Sequence, residues 1–287
     1  MLNKQSIQKY IHPLTPLKTS LTSAGKLREE IKCVLFDIYG TLFISGSGDI
    51  GLTKPDSPQL AQLQKLLAEY RIYKTPRTIL EEFYGAVNAR HADLRSRGID
   101  FPEVKIDQIW CQVLQNEDQT AIRQFAAEFE YITNPVYPMP HLLDLLTACR
   151  EQGLLMGIIS NAQFYTPCLF EFFFDSGPEG LGFSPDLIFY SYRFEVAKPS
   201  AALFEMAAEK LKAKKIKPAW VLYTGNDMLN DIYPAKLTGF QTALFAGDRR
   251  SLRLRPDDPR CRNLKADLVV KDLGQLIRHI EQGLGKK

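Results

Sequence analysis

Six short, largely apolar runs separated by helical patterns constrain this chain more than any other feature: Cys33–Phe36, Leu154–Ser160, Leu187–Tyr190, Val221–Thr224, Gln241–Phe245 and Asp267–Val270. They do not alternate apolar with polar residues, which is how strands buried on both faces read. Helical patterns such as His141–Glu151 and Ala201–Leu211 lie between most of them. Strand and helix in alternation predict an α/β fold with a doubly wound parallel sheet. The interval 51–140 departs from this. Ser57–Tyr70 sets Leu60, Leu63, Leu66 and Leu67 on one face, Thr78–Leu94 repeats the spacing with Ile79, Phe83 and Val87, and no strand is evident. The pattern predicts an α-helical cap inserted after the first strand, hinged at the turn-rich Ile44–Pro58 and the proline-dense Asn134–Pro140. The expected division is a basic arm over 1–30, a core over 31–50 and 141–287, and a cap over 51–140.

Hydrophobic residues make up 45% and charged residues 24% of the 287, enough for a sizeable core without covalent staples. The net charge of +3 comes from Lys and Arg scattered among acids, which argues against a nucleic-acid partner. No apolar run nears the roughly 18 residues of a membrane span, so no membrane partner is expected. The five cysteines are odd in number and form no Cys-x-x-Cys, which suggests neither a zinc site nor a disulfide framework. A cytoplasmic setting is therefore expected. The first 28 residues hold Lys4, Lys9, Lys18, Lys26 and Arg28 but no acid. Prolines at 13 and 16 interrupt any amphipathic helix there, so an arm packed on the core is favoured over a targeting peptide.

The chemistry-bearing signal ends the first run: Phe36-Asp37-Ile38-Tyr39-Gly40-Thr41-Leu42. A carboxylate at the carboxyl end of a buried parallel strand stands where open α/β sheets bind ligands. A glycine three residues on lets the chain turn away. Three further segments follow: Ile158-Ile159-Ser160-Asn161, then Glu195-Val196-Ala197-Lys198-Pro199-Ser200, then Gly225-Asn226-Asp227-Met228-Leu229-Asn230-Asp231. Read singly, Ser160 is a helix cap, Lys198 a solvated lysine, and the last segment an Asn/Asp-rich turn. Read together and in this order, they resemble the four motifs of the haloacid dehalogenase superfamily. The resemblance covers most of Ile31–Leu276, with the insert in the place of that family's C1 cap.

The resemblance implies that Asp37 is a nucleophile, transiently esterified. Ser160 would donate to the bound anion, with Thr41 and Asn161 beside it, and Lys198 would neutralise charge between nucleophile and substrate. Mg2+ would be held by Asp37, the backbone carbonyl of Tyr39 and an acid of the last motif. The family's usual Gly-Asp is Gly225-Asn226 here, so Asn226, Asp227 and Asp231 all stand as candidate ligands. Tyr39 occupies the place of the second aspartate of the family's phosphatases, and a tyrosine with a pKa of about 10 is a poor base. Tyrosine at that place resembles the L-2-haloacid dehalogenases, which attack carbon without a metal. Those enzymes also carry a tyrosine where this chain has Phe204, and an arginine early in the cap, for which Arg71 and Arg77 are candidates. The two acids of Gly225–Asp231 favour a cation, hence a Mg-dependent phosphatase acting on a small phosphorylated metabolite through an aspartyl-phosphate. A metal-independent dehalogenase and a binding module that has lost catalysis are the alternatives. Tyr84, Arg90, His91 and Arg95 are candidates for substrate contacts from the cap, and association as a homodimer is left open.

Overall fold

The computed structural model describes residues 2–47 and 57–284. In chain order the elements are α1 (Lys4–Gln8), β1 (Ala24–Gly25), β2 (Cys33–Phe36), β3 (Phe43–Ser45), α2 (Ser57–Glu69), α3 (Pro76–Ser96), α4 (Ile106–Leu114), α5 (Gln119–Thr133) and β4 (Val136–Pro138). There follow α6 (Leu142–Glu151), β5 (Leu155–Ser160), α7 (Cys168–Phe174), β6 (Phe183–Tyr190), α8 (Ser191–Phe194), α9 (Ala202–Ala213), β7 (Val221–Gly225), α10 (Tyr233–Leu237), β8 (Gln241–Phe245), β9 (Leu268–Val270) and α11 (Leu273–Leu284).

Seven strands form one sheet in the order β1-β9-β8-β7-β2-β5-β6. All pairs are parallel except β1 with β9. The six strands legible in the sequence thus lie in the doubly wound order, with β2 between β5 and β7 at the point where the winding reverses. Every residue of β2, β7 and β8 is buried, which is why these runs show no alternation. Residues of β2 divide by parity between two cores. Val34 and Phe36 pack with α6 and α11 on one face, and Cys33 and Leu35 pack with Leu203, Phe204, Ala207 and Leu211 of α9 on the other. Each of the valine, leucine and phenylalanine side chains among these stabilises the fold by about 1.5–3 kcal/mol. Strand β6 is four residues longer than its apolar run, because its first half is partly exposed and so lacks the continuous signal.

Helices α2 to α5 form the insert between β3 and β4. Phe83 stacks on Trp110 at 4.5 Å, and Trp110 meets Phe125 and Phe129 edge-on at 4.9 and 4.7 Å. The expectation of no strand in this interval needs correction: Val136–Pro138 pairs antiparallel with Phe43–Ser45. The ribbon is short and bounded by prolines, which cannot donate to a ladder, so its sequence reads only as a hinge. The other expected hinge, Ile44–Pro58, falls largely outside the described residues.

The basic arm touches both parts. Ile7 and Tyr10 are buried, α1 packs on α5, and Lys9 pairs with Glu69 at 2.9 Å. Further on, Leu17 bonds Asp248 and Arg249 in the core, and β1 joins the sheet edge. Among the described residues, no helix is long and apolar enough to cross a membrane.

Candidate active site

Asp37 follows β2 directly. Its backbone N–H bonds the Thr224 carbonyl at 2.9 Å, extending the ladder to β7 by one residue and fixing the carboxylate at the winding reversal. The chain then turns through Gly40 at φ +80°, where a Cβ would come within 2.7 Å of the Asn226 amide nitrogen. Only glycine lets the two loops approach this closely. Ser160, ending β5, donates to Asp37 Oδ1 at 2.9 Å. Asn161 clamps the Lys198 backbone from both sides, accepting from its N–H at 2.7 Å and donating to its carbonyl at 3.2 Å.

So held, the buried Lys198 ammonium lies 2.7 Å from Asp37 Oδ1 and 2.6 Å from Asp231 Oδ1. Burial alone would lower the pKa of Lys198, but Asp231 and Asp37 outweigh it and raise it. Asp231 is delivered by a π-helical turn, Met228–Ile232, and Gly225 makes room for it, since a Cβ there would fall 2.3 Å from its carboxyl carbon. Burial, together with the charges of Asp37 and Asp227, pushes Asp231 up to about 6 against the pull of Lys198. Tyr223, which no motif singled out, bonds Asp231 Oδ1 at 3.0 Å and Lys198 Nζ at 3.2 Å. Its ring packs against Phe204 at 4.8 Å. A tyrosine inside an otherwise aliphatic buried run was the available signal.

The candidate metal ligands do not behave alike. Asp227 is forked by Arg255, with Nη2 at 2.6 Å, and caps the π-turn through the N–H groups of Leu229 and Asn230. That takes Asp227 out of the ligand set, and a partner 28 residues away left no local signal in the sequence. Asn226 accepts from Thr41 Oγ1 at 3.1 Å and donates to the Ser251 carbonyl at 2.6 Å. Thr41 is fully buried and spends its hydroxyl on Asn226 rather than on the cavity. Among the described residues, no three His, Cys, Asp or Glu side chains group as an ion cage. Asp231 gives Oδ1 to Lys198 and Tyr223 and Oδ2 to the Asp227 N–H at 2.8 Å, so what remains is Asp37 Oδ2, the second lone pair of Asn226 Oδ1 and the Tyr39 carbonyl. Magnesium accepts one or two carboxylates when water and phosphate complete its octahedron. These three oxygens fit an ion whose remaining positions are completed by water or by oxygens of a ligand.

These groups form one wall of a cavity of about 420 Å³. Its opposite wall comes from the insert, where Tyr84, Val87 and His91 of α3, Trp110 of α4, and Phe129 and Glu130 of α5 line it. Of the cap candidates, Tyr84 and His91 reach the cavity. Arg90 is engaged by Asp93 and Glu195, and Arg95 is exposed. Arg71 and Arg77 are exposed, the latter facing Glu81. The Tyr39 hydroxyl bonds Thr166 at 3.0 Å and is pushed well above its usual range by burial and by Glu130.

A search of curated proteins found no match. Among solved structures, the chain is similar to a 2-haloacid dehalogenase from Pseudomonas syringae pv. Tomato, at 19% identity over 88% of this chain and 99% of that one, TM-score 0.56. It is similar to the L-2-haloacid dehalogenase of Xanthobacter autotrophicus at 19% identity, over 90% of this chain and 100% of that one, TM-score 0.51. It also resembles the putative HAD-hydrolase YfnB of Bacillus subtilis, bound to magnesium, at 17% identity over 88% and 99%, TM-score 0.50. At such identities the likeness shows the fold. The family described as haloacid dehalogenase-like hydrolase matches residues 31–239, and with the four motifs gathered at one end of the sheet, the chain belongs to the haloacid dehalogenase-like hydrolases.

Proposed function

We propose that this hydrolase cleaves phosphate monoesters through an aspartyl-phosphate at Asp37. The observation that carries the reading is a nucleophile held by Ser160 and Lys198 on the wall of a cavity of about 420 Å³. That space far exceeds the needs of a small 2-haloacid and leaves room for a leaving group. Lys198, Arg253 and Arg255 line the core side, where a phosphate dianion finds compensating charge. Asp37 Oδ2, which accepts no hydrogen bond from a described residue, forms the bond to phosphorus as the ester oxygen leaves with its electron pair and takes a proton from water to give the alcohol. Water then attacks the aspartyl-phosphate and returns Asp37 to its carboxylate. Magnesium would be held by Asp37, Asn226 and the Tyr39 carbonyl, and would supply charge neutralisation to the phosphoryl group.

Tyr39 is no base at neutral pH, because its hydroxyl is buried, shared with Thr166 and raised. Breakdown of the aspartyl-phosphate is therefore the slow step, and a burst of alcohol release should precede steady turnover. Asp37→Asn should abolish both burst and turnover, by about ten-thousandfold or more, as should withdrawal of magnesium. Turnover that survives the substitution would sink the reading.

A second reading, dehalogenation at carbon, is favoured by Tyr39 and by Asn226 in the place of an acid. It is tested by halide release from L-2-chloropropionate in the presence of a chelator. Release at rates above those on phosphate esters would replace the first reading with this one.

A further inference from the structure

The cavity divides by charge. Its cationic side chains, Lys198, Arg253 and Arg255, all lie on the core side, and none lines the insert side among the described residues. On the insert side stand two acids, Glu103 and Glu130, each satisfied by neutral donors. Glu130 accepts from Asn134 and from the Tyr165 hydroxyl, both at 3.0 Å, and Glu103 accepts from Ser191 at 2.6 Å and Gln163 at 3.1 Å. Two further groups have no partner among the described residues: the indole N–H of Trp110, a fully buried side chain, and Nε2 of His91. Buried polar groups are normally paired, and both of these belong to residues lining the cavity.

This inventory selects a ligand. A second anionic group would meet Glu103 and Glu130 in a poorly solvated space with no cation among the described residues to offset it. An ammonium would leave the Trp110 N–H without an acceptor. A short acyclic alcohol would leave the apolar surface of Phe83, Tyr84, Val87 and Phe129 uncovered. We propose that the insert side is a leaving-group subsite for an uncharged, ring-bearing alcohol that accepts a hydrogen bond from Trp110 or His91 and donates one to Glu130. The proposal rests on the phosphatase reading for its reaction, but not for its binding.

Two measurements test it. In the first, kcat/KM is compared for uridine monophosphate and glucose 6-phosphate against phosphoglycolate and phosphocholine. The ring esters should lead phosphoglycolate by about a hundredfold and phosphocholine by about tenfold. Trp110→Phe and His91→Phe should each shrink that lead about tenfold through KM. Equal or better rates on phosphoglycolate or phosphocholine would overturn the proposal. In the second, uridine and glucose are titrated calorimetrically into the Asp37→Asn protein. At least one should bind, and binding should be lost with Trp110→Phe but kept with Trp220→Phe. If no ester is hydrolysed and beryllium fluoride forms no adduct at Asp37, the phosphatase reading fails while the titration still reads the subsite. If neither alcohol binds, the subsite fails whatever the chemistry.

Discussion

On the core side of the cavity the carboxylates are paired with cations: Asp37 and Asp231 share Lys198, and Asp227 is forked by Arg255. On the insert side, Glu103 and Glu130 have only neutral donors among the described residues, while Trp110 and His91 each keep a nitrogen that no described residue matches. A buried charge that is paired and hydrogen-bonded tolerates a low dielectric, and one without a counter-ion responds by shifting its pKa. Glu103 accordingly rises to about 7, chiefly through burial, while Glu130 rises for the same reason. The two walls therefore do different work. The core side is an electrostatic unit complete before substrate arrives, as a preorganised reaction site should be. The insert side is incomplete, as a recognition site should be.

Breaking the core side has the largest expected effect. Lys198→Met keeps the length of the side chain and removes its charge, leaving Asp37 and Asp231 buried without the cation they share. At pH 8 the loss should be about 3–5 kcal/mol in urea unfolding. At pH 5, below the value of about 6 to which Asp231 is already raised, a carboxylate takes up a proton and the loss should shrink. An equal loss at both pH values would mean that charge balance is not what Lys198 provides. A smaller effect is expected at Asn226. Asn226→Asp keeps an acceptor for Thr41 but removes the donor to the Ser251 carbonyl and sets another carboxylate beside Asp37. Without divalent cation the protein should lose on the order of 2 kcal/mol. Millimolar magnesium should then raise its Tm by several degrees more than it raises that of the parent. A magnesium response no larger than the parent's would show that position 226 does not face the cation.

How much of this was legible in the sequence differs between the same two walls. The core strands announced themselves because parallel strands buried on both faces must be continuously apolar, and Asp37, Ser160 and Lys198 sit at their ends or in a motif of fixed order. That neither acid of Gly225–Asp231 would be free was not legible, because Lys198 engages Asp231 across the fold and Arg255 engages Asp227 from an irregular loop 28 residues on. Tyr223 showed only as a tyrosine in an otherwise aliphatic run, which does not say that its hydroxyl reaches Lys198. On the insert side, periodicity gave a face to α3 but not the direction that face points. Glu103 lies in a connecting segment where nothing local marks a buried acid. Pairing across the fold, rather than residue type, carries that information.

The insert side offers the smallest effect and the most specific sign. Glu103 is raised from an ordinary 4.5 to about 7. For an acid whose folded value is raised, the linked stability is fully present below the unfolded value and is lost as pH climbs through the folded one. The parent should therefore lose stability between about pH 5 and pH 8 at this site, whereas Glu103→Gln, which cannot ionise, should not. Gln can still meet Ser191, Gln163 and the Val104 N–H through its amide. The substitution should leave stability near that of the parent at pH 5 and raise it by on the order of 2 kcal/mol at pH 8, read by urea unfolding at both values. A loss at pH 8 would mean that the carboxylate has a counter-charge after all, and that the insert side is not the uncompensated wall on which the contrast with the core side depends.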